Sequence, residues 1–250
     1  MITGDKQLVN KAARKVIPVI IWFVIWQLVA LIIHNRILLA GPAQTIKALI
    51  GLSQTQEFLS SVGQSVSRIL LGLLLGCVLG IVLAYLAYMK EIIRDFLKPL
   101  VLAVKSVPVA SFVILLLIWF GSRNISVIIC MLVVFPILYL STLEGLLSTD
   151  GKMLEMAKVY RMPRGRVIRY IFLPGLKPFF QSSVKLAVGM SFKSGIAAEV
   201  IGQPLHTMGN GLYQAKIYLE TGELFAWTIV IIFISFIIEK ILELVMERAL

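Results

Sequence analysis

Six apolar runs, each near the roughly 20 residues that carry a helix across a bilayer, partition this chain of 250 residues. They fall at 16–34, 69–89, 96–120, 125–147, 179–201 and 224–244. Inside hydrocarbon every backbone N–H and C=O must be satisfied within its own segment, so such runs fold as helices. The sequence therefore predicts an all-α integral membrane protein with six transmembrane helices packed as a single domain over 1–250. Composition agrees, because only 15% of the residues are charged, against about 25% in soluble domains. No small-residue cleavage site follows the first run, which is expected to be a retained membrane helix. Cys77 and Cys130 both fall inside apolar runs and read as buried thiols rather than a disulfide or metal pair.

Several runs depart from plain hydrocarbon spans. Residues 35–68 are more polar, broken at Gly41-Pro42, with two short surface helices expected at 43–52 and 57–66. Gly72, Gly76 and Gly80 share one face of the second run, a pattern that lets helices approach closely; simple packing is the favoured reading. In the third run Pro108 removes a backbone donor just after Lys105 and Ser106, and predicts a kink or break. Such a break at membrane depth needs protein or a water-filled cavity around it. The fifth run is polar, and its Gln181, Lys185, Gly189 and Lys193 recur every four residues as a strip able to line an aqueous path. A polar loop is expected at 202–223.

Lysine and arginine set the orientation. With the N-terminus in the cytoplasm, the inner segments carry Lys6, Lys11, Arg14, Lys15, Lys90, Arg94, Lys98, Lys152, Lys158, Arg161, Arg164, Arg166, Arg169 and Lys177. The outer ones carry only Arg36, Lys47, Arg68, Arg123 and Lys216. Both termini are then cytoplasmic, with Glu247 and Arg248 closing the chain inside. The net charge of +11 is accounted for by this asymmetry, and no nucleic-acid partner is expected.

The stretch 155–174, EMAKVYRMPRGRVIRYIFLP, is a basic island on that inner side. Met153, Met156, Ala157 and Tyr160 form an apolar stripe at helical spacing, with Asp150 placed as an N-cap. Pro163 disfavours helix at Met162 and is suited to open a second short helix, which Pro174 is expected to end. An amphipathic hairpin of this kind either lies on anionic headgroups or docks a soluble partner.

The island resembles the EAA loop of ABC-type importer permeases, whose pattern is Glu-Ala-Ala, three residues, Gly, nine residues, Ile-x-Leu-Pro. Glu155, Ala157, Ile171, Leu173 and Pro174 match, Met156 replaces an alanine, and Arg161 stands where the family has glycine. KSGIAAEVIG at 193–202 and LYQAKIYL at 212–219 are similar to the nitrate/sulfonate/taurine branch. The resemblance runs from about residue 60 to the C-terminus. It implies a type I ABC importer transmembrane-domain fold in a bacterial inner membrane, with residues 1–59 as N-terminal helix and outer linker and 60–250 as the permease core. It also implies a cytoplasmic coupling loop at 148–174 in which Glu155, Ala157, Tyr160, Arg161 and Gly165 contact a separate ATP-binding subunit. Implied partners are that ATPase, an extracytoplasmic solute-binding protein, a second permease subunit in a homodimer, and membrane lipid.

No Walker-type phosphate loop occurs in the sequence, so no cofactor is expected here and ATP with its magnesium is expected on the ATPase. Intramembrane charges are functional candidates because burying them is costly. The translocation pathway is expected to include Lys105, Ser106, Pro108, Gly189, Lys193 and Glu199, with Lys105 and Lys193 favouring an anionic solute. Equally weighted for Lys193 is an ion pair with an acid such as Glu199 of the other subunit, and for Lys185 snorkelling is favoured. Glu199 is placed near the outer end of its helix, to gate or to meet a binding protein. His34 and His206 stand alone, and no metal set is assigned. The rival functions are a stand-alone secondary transporter, for which no repeat is found, and a membrane enzyme, for which no catalytic cluster is found.

Overall fold

The computed structural model describes residues 2–35 and 37–249, with side-chain surroundings left undefined at 2–13, 15, 16, 19 and 247–249. Arg36 and the side chains of Lys6, Lys11, Lys15, Glu247 and Arg248 therefore lie outside the described residues. The described chain is helical throughout: α1 (Ile2–Ile33), α2 (Pro42–Ser53), α3 (Gln56–Met89), α4 (Glu91–Ser106), α5 (Val109–Phe120), α6 (Ile125–Leu147), α7 (Gly151–Val159), α8 (Arg164–Val167), a π-helical turn (Ile168–Phe172), α9 (Leu173–Gly202), α10 (Met208–Ile217) and α11 (Thr221–Ala249).

The packing is built on α6, which lies along α3 on one side and α9 on the other. The glycine stripe makes the first of these contacts. A Cβ on Gly72 would meet Cys130 Cβ at 2.6 Å, one on Gly76 would meet Val134 Cβ at 2.8 Å, and one on Gly80 would meet Leu138 Cβ at 2.8 Å. The stripe is thus a packing device within the subunit. Opposite it Leu71, Leu74, Leu75 and Val78 are exposed, an apolar surface of the kind that faces lipid. The core joins Ile69 and Leu73 of α3, Val134 and Leu138 of α6, Phe192 of α9 and Trp227 of α11.

Among the described residues α3 and α6 are single helices long and apolar enough to cross a bilayer, and α4 and α5 reach that length and apolarity only as a pair, bent by 102° at the break between them. The expected kink at Pro108 is thus a complete break. Val107 and Pro108 are extended, α5 restarts at Val109, and Gly121 with φ +67 ends it.

Three other expectations are corrected. Residues 57–66 are not a separate surface helix, because nothing between them and Met89 breaks the helix. Thr55 accepts the Phe58 N–H to cap α3, and Ser61 and Ser65 are buried. The 202–223 stretch is not all loop, since α10 occupies its middle. Pro174 does not end the second hairpin helix. The turn before it widens, Leu173 N–H reaching Ile168 C=O, and the π turn lets the helix run on through a residue that lacks an N–H. Pro174 then sits in the first turn of α9, where the missing donor costs least.

Candidate functional site

The inner hairpin is shaped by local chemistry. Asp150 accepts the Lys152 N–H at 2.9 Å and opens α7. At the other end Met162 N–H donates to Ala157 C=O at 2.9 Å and Arg161 N–H to Lys158 C=O at 3.0 Å, the pair of bonds that defines a Schellman cap. Arg161 takes the left-handed conformation with φ 45. The turn that favours glycine is therefore formed without it, at a cost of about 1 kcal/mol for a side chain at this φ. Pro163 is extended and precedes α8.

This geometry leaves much of the hairpin surface free. Val159 is 79% and Tyr160 74% exposed. Glu155, Arg161, Arg164, Gly165 and Arg166 are exposed as well, and Gly165 has open space where a Cβ would go. Ala157 is the exception. It is 4% exposed in the isolated subunit, unlike the other residues expected in the ATPase contact. Met153 and Met156, expected on the same stripe as Ala157, are about half exposed.

The residues expected along the translocation pathway fall into separate environments. Lys105, Ser106 and Pro108 are exposed at the α4–α5 break, where the Ser106 hydroxyl donates back to Leu102 C=O at 2.8 Å. Lys105 lines a cleft between α4 and α6. On α9, Ala187, Ser191, Ser194 and Ala198 are buried on the side that meets α6, which turns Lys193 and Gly189 to the other side. Lys193 is exposed there, and Gly189 faces open space. Lys185 is not simply snorkelling: it pairs with Glu239 at 3.6 Å and Glu243 at 3.4 Å on α11, beside a cleft of about 380 Å³.

Glu199, expected to gate or to meet a binding protein, is enclosed within the subunit. It is fully buried and holds α10 in place. Its Oε2 accepts from Ser65 Oγ at 2.6 Å and from Gly209 N–H at 3.2 Å. Ser65 Oγ in turn accepts the Met208 N–H at 2.8 Å, and Thr207 Oγ1 accepts the Asn210 N–H at 3.1 Å. The first-turn N–H groups of α10, which a helix cannot satisfy internally, are thus met from three directions, and a carboxylate sits at the positive end of the helix. A Cβ on Gly209 would run into Glu199, so glycine is required for the approach. Sequence reasoning missed Ser65 and Gly209; the T-M-G-N string after a polar loop was the one available signal, as an N-cap.

The match to known proteins follows this architecture. Residues 72–248 fit the family model of binding-protein-dependent transport system inner membrane components, and the chain belongs to that family. It is accordingly a multi-pass inner-membrane permease subunit of an ABC importer. It is 24% identical over 229 residues to the taurine transport system permease protein TauC of Escherichia coli K12, covering 89% of this chain and 83% of TauC. It is 27% identical over 180 residues to the formylaminopyrimidine transport permease protein ThiX of Halalkalibacterium halodurans, covering 72% of each. An amino acid ABC transporter crystallised with histidines shares the fold, with a TM-score of 0.61 and 20% identity over 81% of this chain and 98% of that one.

Proposed function

We propose that this subunit crosses the membrane six times with both termini inside, pairs with a second copy, and carries a small sulfonate-like anion inward. The N-terminal 1–59 and the core 60–250 divide the chain into an outer wrapping segment and the conducting part. Energy comes from a separate ATP-binding subunit, which holds ATP and magnesium, and solute arrives from an extracytoplasmic binding protein. The taurine permease among its relatives supports the solute class, and the outward-facing Lys193 beside Gly189 supplies a cation and room on one face of α9.

The single observation that carries the coupling role is the hairpin end. Val159 and Tyr160 are exposed side chains presented at a Schellman turn, with the exposed Arg161, Arg164 and Arg166 next in the chain. Glu155, Tyr160, Arg161 and Gly165 form the surface offered to the ATPase.

Co-expression with the cognate ATP-binding subunit tests this. Glu155→Arg should abolish co-purification or uncouple ATP hydrolysis from uptake while the permease still inserts and folds. Normal co-purification and transport by that variant would remove Glu155 from the contact.

A further inference from the structure

The cleft between α4 and α6 combines three features that point to one ligand. Arg94, Lys98 and Lys105 lie along one side of α4, at spacings of four and seven residues, and all three line the cleft. Leu140 and Leu143 of α6 line its other wall. Tyr139, 2% exposed as a residue, borders the same space. A phenol O–H beside three cations is a neutral donor suited to an anion's oxygen.

The charges favour an anion. Arg94 spends one N–H on Glu91 at 3.1 Å, and Asp95 stands among the lining groups, so the three cations outnumber the one acid that shares the cleft. The volume, about 520 Å³, and the leucine wall suit an anion that carries an alkyl part. Two sources have that chemistry: an anionic phospholipid and a soluble alkyl sulfonate or phosphate.

The shape of α4 selects the lipid. Its third face, away from both the cations and the buried Leu97 and Val101, exposes Ile92 (83%), Phe96 (76%) and Leu100 (50%). A helix with cations on one side and bare apolar side chains on another lies at the boundary of headgroups and acyl chains. Basic pockets between membrane helices at that level hold phosphate headgroups. We propose that the α4–α6 cleft binds one anionic phospholipid, its phosphate held by Arg94, Lys98 and Lys105 and accepting the Tyr139 O–H, with an acyl chain along Leu140 and Leu143.

The test is native mass spectrometry of the permease–ATPase assembly taken from nanodiscs of phosphatidylcholine mixed with phosphatidylglycerol. The wild type should retain phosphatidylglycerol selectively. Lys98→Gln, an exposed change that leaves the core alone, should lower that retention about fivefold, the worth of one interfacial cation. Tyr139→Phe, nearly isosteric, should lower it too, whereas Lys90→Gln at a neighbouring cation outside the cleft should not, and Lys98→Arg should restore it. Equal retention of the two lipids, or unchanged retention in both Lys98→Gln and Tyr139→Phe, would overturn the proposal. So would displacement of the lipid by hexanesulfonate, which would give the cleft to the solute path.

Discussion

Ser65 and Glu199, 134 residues apart in the chain, share a buried hydrogen bond of 2.6 Å. Through it α3 and α9 jointly cap α10, since the same serine oxygen accepts the Met208 N–H and the same carboxylate oxygen accepts the Gly209 N–H. Ser65→Ala strips both a donor from Glu199 and an acceptor from Met208. Leaving buried groups unmatched costs about 1–3 kcal/mol each. The amides of Met208 and Gly209 should then exchange with deuterium markedly faster than in the wild type, and the thermal midpoint should fall. Unaltered exchange at those two amides would show that α10 is held by something else.

Arg161 is expected to be tolerated rather than preferred on conformational grounds. Arg161→Gly should stabilise the hairpin by about 1 kcal/mol, because glycine adopts the left-handed region without steric cost. Slower amide exchange at Arg161 and Met162 positions, whose N–H groups close the cap, reads this out. If exchange there speeds up instead, the arginine side chain stabilises the turn by more than its backbone costs.

The two exposed apolar residues at the hairpin tip carry a separate prediction. Interface aromatics that dominate binding lose about 2 kcal/mol or more on truncation. Tyr160→Ala should therefore weaken ATPase binding about thirtyfold without changing the stability of the isolated permease, since the side chain is 74% exposed. Titration of the ATP-binding subunit onto nanodisc-held permease measures it. Wild-type affinity would place the docking surface elsewhere.

The glycine stripe makes a sharp contrast within one helix. Gly76→Leu or Gly80→Leu must push α3 away from α6, because even a Cβ comes within 2.8 Å of Val134 or Leu138; overpacking of this kind costs about 1–3 kcal/mol or more. Gly63→Ala, on the same helix in open space, should be neutral or slightly stabilising through helix propensity. Thermal unfolding in detergent separates the two, and similar midpoints for Gly76→Leu and Gly63→Ala would contradict the packing described.

Uptake measurements address the α9 strip. Lys193→Met keeps the length of the side chain and removes its charge, so uptake of an anionic solute should fall while ATPase docking is retained. Unchanged rate and selectivity would take Lys193 out of the path. Lys185→Met should instead act weakly and through stability, because its pairs with Glu239 and Glu243 are half exposed and such pairs contribute at most about 1 kcal/mol.

The helical segments at 125–147 and 43–52, the break at Pro108 and the cap at Asp150 were legible because each is a local matter. Hydropathy over some twenty residues, a missing N–H, or an oxygen two residues before its donor is written in consecutive letters. The π turn before Pro174 was not legible, since proline reads as a stop, and whether the chain stops or widens depends on what continues to be packed beyond it. The burial of Ala157 and Glu199 was not legible for a related reason: spacing gives a helix face, but not which neighbour covers that face.

By itself the sequence determined that this chain lives in a membrane as helices and which segment between them is basic, because transfer of side chains between water and hydrocarbon is decided residue by residue. Only the tertiary structure decided that Glu199 meets Ser65 and the first turn of α10, that the glycine stripe serves α6, and that a phenol and three cations share one cleft. Those outcomes rest on contacts between residues far apart in the chain, and no run of consecutive residues encodes the distance between two helices.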